Sequence, residues 1–127
     1  MERFLWICLA GALGSGARYL VSVWAGKAFG ASFPWGTLIV NVAGCFLIAM
    51  VMVAGVEKAM LSPNVRFALA TGFIGGLTTY SSFNWETTEL LRSRAFKLVA
   101  LNVGLTTIGC FVAGLCGLML ARRIFGG

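Results

Sequence analysis

The stretch Gly72-Phe73-Ile74-Gly75-Gly76-Leu77-Thr78-Thr79-Tyr80-Ser81-Ser82-Phe83 sets three glycines and four serine or threonine hydroxyls inside a segment otherwise apolar enough to cross a bilayer. A lipid-facing helix satisfies every backbone group internally. Irregular or glycine-rich backbone at membrane depth is therefore tolerated only where protein or a water-filled path surrounds it. The segment reads as a place where something polar is bound or conducted, and the rest of the chain as what encloses it.

The composition agrees. Of 127 residues, 59% are apolar and 11% charged, whereas soluble domains carry about 25% charged residues. The chain is an integral membrane protein. Its charge-free runs predict spans at about 4–25 (interrupted by Arg18), 35–56, 65–92 and 98–121, each near the roughly 20 residues that a hydrocarbon core of about 30 Å requires. A single all-α domain of four transmembrane helices then accounts for residues 1–127. Met1-Glu2-Arg3, the apolar run behind it and Gly14-Ser15-Gly16-Ala17 have the outline of a cleaved signal peptide; we read them instead as the first span.

Cys8, Cys45, Cys110 and Cys116 all lie in apolar segments, with no Cys-x-x-Cys and no histidine, so they read as small buried residues and not as a zinc site or disulfide framework. The net charge of +6 is carried by residues scattered singly at span ends, which favours lipid headgroups over nucleic acid as the partner. Trp6, Trp24 and Trp35 fit an interfacial aromatic belt.

Four spans put both termini and the loop between spans two and three on one side. That side carries Arg3, Lys58, Arg66, Arg122 and Arg123, and the opposite side Lys27, Arg92, Arg94 and Lys97. Orientation follows the Lys/Arg excess, and here almost none exists. Either the chain inserts both ways, so that opposed copies pair about an axis in the membrane plane, or one such residue is counted on the wrong side and an ordinary bias results.

In span one, Gly11/Ser15 and Ala12/Gly16 at four-residue spacing mark a close helix contact face. Arg18 follows within the hydrophobic run, where a cation faces a cavity or snorkels. In span two, Ser32 is placed to cap, Pro34 suits the first turn, and Asn41 stands one turn after Thr37. An intramembrane Asn amide is either glue between helices or a ligand contact, and alone it favours glue. Span three begins behind Ser62-Pro63-Asn64 and is too long for one straight crossing, so a break is expected at Gly75-Gly76. Such a break leaves a cation-seeking carbonyl end beside an anion-seeking amide end. Beyond it Tyr80 and Phe83 share a face, Glu89 pairs with Arg92, and Glu86 sits a turn deeper. In span four Asn102, Thr106 and Cys110 form a polar stripe at four-residue steps.

These residues resemble, over essentially the whole length, the Fluc fluoride channel family, also called CrcB. The matching order is Gly14 to Arg18, Pro34-Trp35-Gly36-Thr37-Leu38 leading into Val40-Asn41, Thr71 to Phe83, then Glu86-Thr87. The resemblance implies a fluoride-selective passive channel in the inner (plasma) membrane of a microbe, built as an antiparallel dual-topology homodimer with two pores. It also implies a structural sodium ion at the dimer centre, held by backbone carbonyls of Gly75 and Thr78 from both copies, and no organic cofactor. Carried over by position, Asn41 matches the pore-lining asparagine, Arg18 the vestibule arginine and Phe83 the second aromatic of a phenylalanine box, with Ser81 and Ser82 in the hydroxyl-rich part. Tyr80 departs from the family, standing where the first box phenylalanine is usual. Asn102, Thr106 and Cys110 stand where a tyrosine and serines are common. Thr37 and Glu86 are further candidates beside this path.

Fluoride is small and strongly hydrated, so its pore must replace water with hydrogen-bond donors and positive ring edges while excluding chloride. A small drug/proton exchanger would share four spans and weak charge bias, but it needs a deeply embedded carboxylate, and the deepest here is Glu86. A purely structural subunit leaves the hydroxyl-rich break without a purpose. Enzymatic work lacks a nucleophile and base pair.

Overall fold

The computed structural model describes residues 1–126 and is all-helical. Helix α1 (Glu2–Phe29) runs unbroken through Arg18; α2 (Trp35–Met52) continues as a π-turn over Val53–Glu57. The third crossing starts with α3 (Pro63–Phe67), widens to π geometry over Ala68–Ile74, and closes with α4 (Gly75–Leu77). After an interruption it resumes as α5 (Tyr80–Arg92), and α6 (Phe96–Phe125) completes the chain. Glu2–Phe29, Trp35–Glu57 and Phe96–Phe125 are each long and apolar enough to span a membrane. The third crossing is not among them because it is divided.

Local chemistry sets the boundaries. Gly30, at φ 84°, adopts the left-handed backbone that glycine tolerates and returns its N–H to the Gly26 carbonyl, ending α1. Phe33 is buried against Trp35, with ring centroids 4.8 Å apart, and Phe29 joins them at 5.7 Å from Trp35. Pro34, and not Ser32, occupies the cap position of α2: with the aromatic cluster fixing the turn, no side chain caps this end. Ser62 does cap α3, accepting the Val65 N–H at 3.4 Å, with Pro63 at the first helical position.

The break falls later than Gly75-Gly76. Both glycines are helical, and the chain turns extended at Thr78 (φ −82°, ψ 157°) and Thr79 (φ −157°, ψ 118°). The glycines serve packing instead. A Cβ on Gly76 would strike the Gly11 carbonyl, and one on Gly14 the Phe73 carbonyl, so α1 and the first half of the third crossing touch backbone to backbone. This face runs through Gly11, Gly14 and Ser15, whose hydroxyl reaches the Gly76 carbonyl at 3.5 Å. Ala12 and Gly16 lie on the exposed side of α1, not in the contact.

Polar contacts gather one end of the bundle. Arg3 donates to Asn64 at 3.0 Å, and Arg122 grips Glu57 through two bonds of 2.9 and 3.1 Å. The start of α1, the end of α2's continuation, the start of α3 and the end of α6 therefore share that end. At the other, Arg92 pairs with Glu89 at 3.0 Å.

Candidate functional site: the divided third crossing

The division is made by α2. Asn41, 8% exposed, accepts the Thr79 N–H on its Oδ1 at 2.8 Å and donates its Nδ2 to the Thr79 carbonyl at 3.0 Å. In a continuous helix the Thr79 N–H would go to the carbonyl of Gly75. Asn41 takes that donor, so the Gly75 carbonyl loses its helical partner. Gly44, one turn along α2, makes the approach possible: a Cβ there would collide with the methyl of Thr78.

Past the break, the Thr79 hydroxyl accepts the Ser82 N–H at 3.1 Å, a side-chain cap on α5. The same oxygen lies 3.2 Å from the Ser81 hydroxyl and donates to that of Ser82 at 3.1 Å. The first turn of α5 thus carries a knot of hydroxyls at the positive end of the helix, while the end of α4 presents carbonyls.

Two open grooves flank this junction. The larger, about 850 Å³, is lined by Asn41, Gly75, Thr78, Tyr80, Phe83, Thr106 and Cys110 among others. Tyr80 is 79% exposed and Phe83 only 9%, with ring centroids 5.5 Å apart. Thr106 is buried, and its Oγ1 has no hydrogen-bond partner among the described residues. The smaller groove, about 530 Å³, is lined by Thr37, Glu86, Trp85, Glu89 and Ser22 with the residues of the α1–α2 turn. There the Thr37 hydroxyl donates to Glu86 Oε1 at 2.7 Å, and Glu86 Oε2 is buried without a partner among the described residues. Thr37 and Asn41 are one turn apart on α2 and face the two grooves in succession, as Glu86 and Phe83 do on α5, so the grooves are two stations along one polar seam.

Four candidates sit elsewhere. Arg18, half-buried on α1, lines neither groove. Ser81 and Ser82 also lie outside the groove linings, although tied to them through Thr79. Asn102, 1% exposed, is engaged as glue: its Nδ2 donates to the Thr87 hydroxyl at 2.9 Å, which in turn donates to the Phe83 carbonyl at 2.6 Å. Thr79 and Thr87, which the sequence offers only as members of longer motifs, join these networks. The Thr79-x-x-Ser82 spacing was the signal for the first; nothing local marks the second.

Among the described residues no group of three or more His, Cys, Asp or Glu is placed to hold a metal ion, so at the break a hard cation would meet neutral backbone and hydroxyl oxygens. The profile of the family described as CrcB-like protein, Camphor Resistance (CrcB), matches residues 5–118. A protein named fluoride-specific ion channel FluC from Anaeromyxobacter sp. (strain K) is 48% identical over 126 residues, covering 99% of this chain and all of that one. The proteins of the same name from Sorangium cellulosum and Geobacter sulfurreducens are 45% and 41% identical, over 100% and 98% of this chain respectively and the whole of each of those proteins. With the match running from end to end, this chain belongs to the CrcB-like family.

Proposed function

We propose that this protein is a fluoride-selective channel that lets the anion leave a microbial cell passively, down its electrochemical gradient. The observation that carries the reading is the Asn41 clamp on Thr79, which divides a crossing and leaves hydrogen-bond donors and ring edges along open grooves. Full-length relatives named as fluoride-specific channels support it.

The working unit is an antiparallel homodimer with two pores. An open groove of about 850 Å³ that carries the unpartnered Thr106 hydroxyl and the exposed Tyr80 is poorly suited to face hydrocarbon, where those groups would find no hydrogen-bond partner. A second, inverted copy supplies the missing wall, and five Lys/Arg against four on the two sides permit both orientations.

The chain fits a sodium ion at the centre of that pair. The Gly75 carbonyl, deprived of the Thr79 N–H, and the carbonyl of extended Thr78 both belong to residues lining the larger groove. Neutral oxygens suit a hard alkali cation. When bound, the ion supplies a fixed positive charge that ties the two divided crossings together.

Along the path, the Thr106 hydroxyl replaces water around the anion, and the Ser81 and Ser82 hydroxyls act from just behind it through Thr79. The ring edges of Phe83 and Tyr80 present partial positive charge. Asn41 chiefly holds the break open, and Arg18 raises the local anion concentration at the vestibule. Thr37, Glu86 and Cys110 border the route, and Asn102 braces α5 behind it.

Purified chain in proteoliposomes tests the function. Rapid fluoride efflux with chloride retained is expected; no fluoride efflux, or chloride leaving equally fast, refutes selective conduction.

A further inference from the structure

The larger groove holds a pair of groups that fluoride passage does not require. Cys45 on α2 and Cys110 on α6 both line it, are both free and half-buried, and lie where the two helices pack closely. The helices are held together here by small residues. A Cβ on Gly114 would lie 3.7 Å from the Cys45 carbonyl, and one on Gly117 would strike the Phe46 carbonyl, so α2 and α6 approach nearly to backbone contact. Beside the pair, Thr106 lines the same groove with a buried, unpartnered Oγ1. The site is therefore two sulfurs from closely packed helices on one groove, with a hydroxyl one turn away on α6. Cys8 and Cys116 are exposed and outside the groove.

Sulfur ligands select soft, polarisable cations, and two thiolates suffice for a d¹⁰ ion that favours linear two-coordination. Hard ions such as sodium or magnesium gain little from sulfur and prefer carbonyl oxygens. We propose that Cys45 and Cys110 form a two-thiolate site for a soft metal cation, and that its occupation obstructs the groove. For mercuric ion, each thiol loses its proton to solvent, two sulfur–mercury bonds form, and no electron is transferred. The obstruction rests on the groove being the anion path; the binding does not.

The test uses the full chain carrying Cys8→Ala and Cys116→Ala. Titrated with mercuric ion in detergent, it should take up one ion per chain, release two protons and hide both remaining thiols from a maleimide. Adding Cys45→Ala should cut the release to one proton and leave binding weak enough for a monothiol to reverse. In vesicles, mercuric ion should remove most fluoride efflux from the two-cysteine protein, and a small dithiol should restore it. Cys45→Ala vesicles treated with mercuric ion should return to their own untreated rate on washing with a monothiol, which should not free the two-cysteine protein. If untreated vesicles pass no fluoride, the channel reading fails while the titration still judges the site. Conducting protein that releases one proton or none overturns the paired site, and paired binding with undiminished efflux overturns its place on the path.

Discussion

Asn41 commits both halves of its amide to one peptide group, and that limits what can replace it. Aspartate would still accept the Thr79 N–H but could not donate to the Thr79 carbonyl. It would set an anion against a carbonyl oxygen and beside an anion path. Asn41→Asp is expected to lower stability by about 1–3 kcal/mol, the range for a buried polar group left without its partner, and to slow fluoride efflux. Thermal unfolding and proteoliposome flux check the two arms, and undiminished flux would exclude Asn41 from the route. Tyr80 makes the opposite case. Its side chain is largely exposed and forms no hydrogen bond among the described residues, so Tyr80→Phe should shift stability by no more than about 0.5 kcal/mol. Any change in efflux then reports on the hydroxyl in the passage. A clear loss of stability would show that the tyrosine is a packing residue.

At the scale of elements, the contact between α1 and the first half of the third crossing depends on missing side chains. A methyl at Gly76 meets the Gly11 carbonyl, which is backbone and cannot swing aside. Gly76→Ala is expected to cost about 1–3 kcal/mol, as overpacking does. Gly16 faces open space on the same helix as Gly11, so Gly16→Ala should be neutral or favourable by up to about 1 kcal/mol through helix propensity. Paired unfolding measurements on the two variants decide it, and equal effects would sink the backbone-contact reading. The same residues show where sequence runs out. Glycine pairs read as breaks because they lack a side chain, but that lack serves a break and a close contact equally well. Choosing between them needs the partner, and α1 lies 65 residues upstream by the Gly11–Gly76 contact. The hydroxyl cluster and the polar positions on α2 and α6 were legible because polar groups in an apolar helix need partners. Which partner each takes was not: Asn41 reaches Thr79 across 38 residues, and Asn102 turns to Thr87 and away from the groove. The missing Ser32 cap has the same origin, a tertiary aromatic cluster having fixed the turn first.

Over the whole molecule, the near balance of charge is the quantity to perturb. Lys27→Gln, Arg94→Gln and Lys97→Gln together leave five positive residues on one side against one, Arg92, on the other. Lys58→Gln, Arg66→Gln and Arg123→Gln leave two against four. None of the six residues lines the larger groove, and each set imposes an ordinary bias, so each variant should insert in one orientation. If conduction needs inverted partners, either variant expressed alone has only parallel copies available and cannot cover its polar groove. Expressed together, the two regain the antiparallel arrangement. Fluoride efflux from cells is therefore expected to be lost for each variant alone and recovered on co-expression, with orientation read independently by reporters fused to the C-terminus. A variant fixed in one orientation that conducts unaided at the parental rate would show that the groove is closed by something other than an inverted copy.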